Sequence, residues 1–112
     1  MIDKDLVAAS TRPLVLSVLA QGESYGYALI QRVRELSGGQ LQWSDGMLYP
    51  VLHRLEKEGL IEATWRTADT GRQRKYYRIG ATGQTELARQ RQQWFTVHNV
   101  LTKLWEGGLC AS

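Results

Sequence analysis

Residues 43–79 read WSDGMLYPVLHRLEKEGLIEATWRTADTGRQRKYYRI, and the fold follows from this stretch. Ser44 is a good helix N-cap, and Asp45 puts a negative charge where the helix dipole favours one. Leu48, Val51, Leu52 and Leu55 recur at i, i+3, i+4 and i+7, which is one buried helical face. Tyr49, His53, Arg54 and Lys57 fall on the other face. Gly59 supplies the left-handed residue that ends such a helix. Ile61, Ala63 and Trp65 then alternate with polar residues, as do Tyr77 and Ile79, giving two strands. Between them Asp69 and Gly71 are turn-formers within the polar run from Arg66 to Arg74. A helix of this kind followed by a basic hairpin predicts a winged helix-turn-helix.

The rest of the chain is mainly helical. Residues 1–9 are expected to form a leading helical turn or an arm, and Ser10 or Thr11 is the expected cap of a first helix reaching Gln21, with Pro13 in its first turn and Leu14, Val15, Val18 and Leu19 inward. Gly22 breaks it. A second helix is expected over Tyr25 to Leu36, opened by Glu23 or Ser24, with Tyr25, Leu29, Val33 and Leu36 at helical spacing. Ser37-Gly38-Gly39 stops it, and Leu41-Gln42-Trp43 is expected to add a small strand to the hairpin. Trp43 and Trp65 read as packing aromatics. After Gly80, a last helix is expected from Ala81 or Thr82 to about Glu106, halted at Gly107-Gly108. Leu87, Trp94, Val97, Leu101 and Leu104 fit a heptad seam along it, with Phe95, Val100 and Trp105 alongside. So small a domain cannot cover that much apolar surface, and a large exposed patch marks an interface. The division is therefore a winged domain over 1–80, a dimerisation helix over 81–106 whose contacts are Leu87, Trp94, Val97, Leu101, Leu104 and Trp105, and a loose tail over 107–112.

Composition sets the limits. The chain has 112 residues, 43% of them apolar, so one modest core is expected. The net charge is only +3, but its distribution is uneven. From Arg72 to Arg78 there are four bases (Arg72, Arg74, Lys75, Arg78) and no acid. Such a stripe is the footprint of a polyanionic partner, and equally that of a solvated turn. One cysteine, Cys110, excludes an internal disulfide framework, and the two histidines, His53 and His98, lie in different helices with no zinc spacing. Neither a nucleophile triad nor a phosphate-binding glycine loop stands out, so no enzyme activity and no cofactor are expected. No run approaches the roughly 20 apolar residues of a membrane span. The start, MIDKDLVAAS, lacks the basic and apolar regions of a secretory signal, so the expected location is the cytoplasm.

On the exposed face of the third helix and on the wing, the candidate DNA contacts are Ser44, Tyr49, His53, Arg54, Lys57, Arg72, Arg74 and Lys75. Arg54 is read either as such a contact or as paired with Glu58, and Arg78 as pairing with Glu62. The expected partner is double-stranded DNA. The other reading is a winged-helix module for protein or RNA, because fold does not fix function.

Tyr25-Gly26-Tyr27, Ser37-Gly38-Gly39, Met47-Leu48-Tyr49-Pro50, Leu52-His53-Arg54-Leu55-Glu56, Gly59-Leu60, Gly71-Arg72 and Arg74-Lys75-Tyr76-Tyr77-Arg78 together resemble the PadR family of bacterial transcriptional regulators. The resemblance runs from about Pro13 to Trp105 and is strongest to the small members with a single C-terminal helix. It implies a homodimeric repressor on an inverted-repeat operator, released from DNA by an effector. It places Trp94 where a multidrug-binding member carries a tryptophan between its subunits. Trp94 would then sandwich a small aromatic effector, with Phe95, His98 and Val15 as weaker candidates for the same pocket.

Overall fold

The computed structural model describes residues 2–110. Its elements are α1 (Lys4–Gln21), β1 (Ser24–Tyr25), α2 (Gly26–Leu36), α3 (Asp45–Lys57), β2 (Ile61–Thr67), β3 (Gln73–Ile79) and α4 (Ala81–Cys110). Three helices pack around one core beside a three-stranded antiparallel sheet of order β1-β3-β2. This is the winged helix-turn-helix, carried on a long last helix.

α3 forms as its sequence dictates. The Ser44 hydroxyl accepts from the Met47 amide at 3.2 Å. Leu48, Val51, Leu52 and Leu55 are all buried, each worth roughly 1.5–3 kcal/mol relative to exposure. Pro50 sits early enough in the helix that its missing N–H costs little. Gly59 closes the helix at φ +77°, and Leu60 donates back to the Leu55 carbonyl at 2.9 Å.

α1 begins six residues before the expected cap. Ser10 and Thr11 do not cap it; their hydroxyls bond back to the Val7 carbonyl at 3.1 and 2.7 Å. Val7 belongs to the core with Val15, Leu16 and Leu19, and that burial carries the helix through Pro13. The small third strand is Ser24–Tyr25, pairing with Tyr76 and Tyr77, and not the expected Leu41 to Trp43. That segment is irregular and places Trp43 in the core, 5% exposed. α2 starts at Gly26 without a side-chain cap, and its Leu36 is exposed, so the buried face stops at Val33.

α4 enters the core before leaving it. Gly83 is buried against the Leu60 carbonyl and the Ile79 side chain, and a Cβ there would lie 2.6 Å from Ile79 Cγ1. Thr82 donates to the Gly59 carbonyl at 2.8 Å. Leu87 is 7% exposed and lies within the core, so it cannot lie on a free dimer seam as expected. The helix also passes through Gly107 to Cys110 and does not stop at 106. The expected loose tail is otherwise outside the described residues.

Candidate nucleic-acid interface

The register of the hairpin decides which wing side chains share a face. Trp65 pairs with Lys75 and Ala63 with Tyr77, alternating with the pairs Glu62–Arg78, Thr64–Tyr76 and Arg66–Arg74. Alternation puts Trp65, Lys75 and Tyr77 on the face shared with buried Ile61, and Arg66, Arg74, Tyr76 and Arg78 on the other. A tight turn closes the tip. There the Gly71 amide donates to the Ala68 carbonyl at 2.8 Å, with Gly71 at φ +85°.

Several bases of this region are already spoken for. Arg66 is bound two-point to Glu23, and its guanidinium lies 5.0 Å from the Tyr76 ring centroid. Lys75 donates to Glu56 of α3 at 3.1 Å, and this bond raises its pKa. Lys75 was expected among the DNA contacts; instead it is half-buried and ties β3 to α3. Arg78 holds Glu62 at 2.7 Å, the pairing the sequence suggested. Glu58 is taken by Arg12 of α1 at 2.8 Å, so the pairing of Arg54 with Glu58 does not form. Among the described residues, Arg54, Lys57, Arg72 and Arg74 are the bases of α3 and the wing without a carboxylate partner. Arg74 instead stacks over the Tyr25 ring, 4.5 Å from its centroid.

Two of these four, Arg72 and Arg74, meet at one cleft. A cleft of about 550 Å³ runs between the start of α2, the exposed face of α3 and the wing. Tyr49 and His53 border it from α3, Trp65, Arg72 and Arg74 from the wing, and Tyr25 from β1. Trp65 was read as a packing aromatic, yet it is 62% exposed here because β2 has run past the core by that point. The Tyr49 hydroxyl lies directly over Gly26, where a Cβ would meet its ring at 2.8 Å. Ser44 is exposed at the start of α3, and Arg54 and Lys57 lie farther along the same helix.

The chain matches the family model described as the transcriptional regulator PadR-like family over residues 15–89, from the second half of α1 to the first turns of α4. It belongs to the PadR-like transcriptional regulators. It is 37% identical over 89 residues to the transcriptional regulator Rv3488 of Mycobacterium tuberculosis, covering 80% of this chain and 79% of that one. A transcriptional regulator from Clostridium thermocellum has the same fold at TM-score 0.83 and 28% identity, covering 92% of this chain and 97% of that one. A PadR-like regulator from Bacillus cereus superposes at TM-score 0.78 with 31% identity, covering 90% and 96%.

Within this PadR-like frame a second concavity lies between α1 and α4. It measures about 390 Å³ and is lined mainly by apolar side chains, among them Leu6, Pro13, Leu14, Leu41, Trp94 and Phe95. Two of the other expected ligand contacts do not reach it. Val15 is fully buried on the core side of α1, and His98 falls a turn beyond Trp94 and does not line it. Beyond Arg91 the free face of α4 carries Val97, Val100, Leu101, Leu104 and Trp105, each exposed. Among the described residues no helix is long and apolar enough to cross a membrane, and no group of three metal-ligating side chains comes together.

Sequence reasoning passed over Tyr25, Gly26 and Trp65 as site residues. For the first two a signal was present: a glycine between two aromatics at a helix start is where another side chain can press against backbone. No comparable signal existed for Trp65, whose alternation with Thr64 and Arg66 suits an inward strand residue.

Proposed function

We propose that this protein is a dimeric DNA-binding repressor, released by a small aromatic effector. α3 enters the major groove with Tyr49, His53 and Arg54 toward the bases or backbone, while Arg72 and Arg74 take phosphates beside it. Ser44 and Lys57 add backbone contacts at either end of the helix. Two copies associate through the exposed half of α4 and so present two recognition helices to an inverted repeat. The effector lies against Trp94 and Phe95 in the apolar concavity beside α1, where it would alter the angle between the two copies.

The observation that carries this reading is that the unpaired Arg72 and Arg74 of the wing share one cleft beside α3 with the exposed aromatics Tyr49 and Trp65, while the wing's other bases are neutralised. An acidic or apolar wing would have favoured a protein partner.

The test is fluorescence anisotropy against duplex DNA from upstream of the protein's own gene and a scrambled duplex, across salt concentrations. Tight sequence-dependent binding is expected. If contacts are confined to the four unpaired bases of each copy, the slope of log K against log salt is no steeper than about −7 for a dimer, at roughly −0.9 per phosphate. Equal, weak binding to both duplexes refutes specific recognition of that region.

A further inference from the structure

The far half of α4 is two-sided. Gln92, Thr96, Asn99 and Lys103 recur at i, i+4, i+7 and i+11, which makes one helical stripe that is polar throughout. Trp94, His98, Leu101 and Trp105 recur at the same spacing along the opposite side. His98 thus stands in line with two tryptophans and a leucine, and it is the one polar residue of that stripe. Like its neighbours it is exposed in a single copy. Trp94 and Phe95 border the concavity with α1, and beyond them the large apolar side chains of α4 stay uncovered among the described residues. Seven such side chains from Trp94 to Trp105 are exposed. At roughly 100 Å² each they approach the ~800 Å² per copy of a standard protein interface. The occupant this pattern fits is the same helix of a second copy, because such a stripe interlocks with another of its kind across a two-fold axis.

Covering the stripe takes His98 out of water. Imidazole gains its proton between pH 8 and 5, and burial disfavours the charged form. The surrounding charges do not offset that cost. Arg91 lies two turns before His98 on the same side of α4 and holds no carboxylate among the described residues. Lys103 belongs to the polar stripe. On α1 the residues beside Trp94 are uncharged, and of its charged groups, Lys4, Asp5 and Arg12, the last is bound to Glu58. Glu86 of α4 is bound to Arg89. The remaining acids of the two helices are Asp5 and Glu106, and neither falls on the stripe of Trp94 and Trp105. A second copy brings the same set of groups.

We propose that His98 makes the association of two copies acid-sensitive: its neutral form is buried between the two α4 helices, and its protonation drives the copies apart. The proposal rests on the dimer reading above and adds a proton to the signals that act on it. The dimer holds the neutral imidazole, so its full strength is present above about pH 6.5 and is lost as pH falls below that value.

Sedimentation equilibrium of the full chain at pH 7.5, 6.5 and 5.5, at constant ionic strength, tests this, with circular dichroism to check that the helices persist. The dimer dissociation constant of the wild type is expected to rise about 10- to 100-fold from pH 7.5 to pH 5.5, the upper limit being two protons taken up per dimer. His98→Gln and His98→Leu replace a side chain that is exposed in the single copy, and each should hold the constant within about threefold over the same range. His53→Gln removes the chain's other histidine and should respond as the wild type does. A wild-type dimer indifferent to pH overturns the proposal, as does a full response that survives in both His98 variants. A dimer that tightens in acid also overturns it, since His98 would then be paired with an acid such as Asp5 or Glu106. A wild type that stays monomeric at every pH overturns the dimer reading and the switch with it, whereas a dimer without the response overturns the switch alone.

Discussion

Replacing Gly83 with alanine sets two terms against each other. In a helix interior alanine is favoured over glycine by about 1 kcal/mol. At this position, however, the new methyl would overlap the Leu60 carbonyl oxygen and lie 2.6 Å from Ile79 Cγ1 and 3.1 Å from the Leu60 carbonyl carbon. Two of these neighbours are backbone atoms, so relief by a side-chain rotation is available only at Ile79. The Leu60 oxygen also accepts the Gly80 amide at 3.0 Å, and moving it strains that bond. Overpacking of this sort costs roughly 1–3 kcal/mol, and the backbone contact places it at the upper end. With strain on the bond added, the net expectation is a loss of about 2–3 kcal/mol. Gly107 in the same helix has nothing within 4 Å of its Cβ position, so Gly107→Ala is expected to gain up to about 1 kcal/mol. Urea unfolding of both variants at matched concentrations, with m-values compared, measures the difference. Because Gly83 fixes the direction in which α4 leaves the wing, Gly83→Ala should also weaken operator binding. A Gly83→Ala protein as stable as the wild type would refute the close approach of α4 to Leu60 and Ile79 and with it this account of the helix orientation.

Glu56→Gln removes the carboxylate that holds Lys75, freeing a base toward DNA; scrambled-duplex affinity at low salt should rise and the salt slope steepen by about one phosphate per chain. Glu86 is bonded to Arg89 and Gln90, and these hold its carboxyl down at about 2. Its pKa is lowered on folding, so the associated stability is present above the unfolded value near 4.5 and is lost as pH falls toward 2; Glu86→Gln should flatten acid unfolding in that window by less than about 1 kcal/mol, since the pair is largely solvated. Leu104→Glu, on the exposed face of α4, should shift sedimentation toward the monomer and abolish high-affinity operator binding while leaving helical content intact. Trp94→Ala should reduce binding of planar aromatic compounds, read by quenching of the remaining tryptophans, with dimer mass unchanged; equal affinity would exclude Trp94 from the pocket.

Elements whose signals are local were legible in the sequence. α3 has a cap, a four-residue apolar face and a terminating glycine within one stretch, and each is found where it was read. The hairpin, likewise, is fixed by alternation and turn chemistry. Errors arose where distant burial outweighed local preference. Nothing near Val7 announces that it reaches the core, yet that burial extends α1 backwards and turns Ser10 and Thr11 from caps into interior residues bonded to the preceding turn. The third strand was misplaced for a similar reason. Leu41 to Trp43 has the composition of a strand, but Trp43 is drawn inward, leaving the edge of β3 to Ser24 and Tyr25.

The site was legible as residue types and not as availability. Counting bases from Arg54 to Arg78 gives seven, and each looks equally able to meet a phosphate. Two of the ion pairs that remove three of them from contention, Arg66 with Glu23 and Lys75 with Glu56, join residues 43 and 19 positions apart. Only Arg78 with Glu62, neighbours across the hairpin, could be read from strand register. The distinction has a measurable consequence. Seven bases per chain would allow a dimer a salt slope near −13, against about −7 for the four unpaired ones. A slope near the steeper value would mean that DNA strips Glu23, Glu56 and Glu62 of their partners, leaving three carboxylates per chain uncompensated beside phosphates. That outcome is electrostatically costly and would show in Lys75 first, because its pair with Glu56 also holds the wing to α3. On the DNA-binding reading proposed above, a slope near −7 would assign Lys75 to holding the wing against α3, Arg66 and Arg78 to bracing the sheet, and Arg54, Lys57, Arg72 and Arg74 to the DNA.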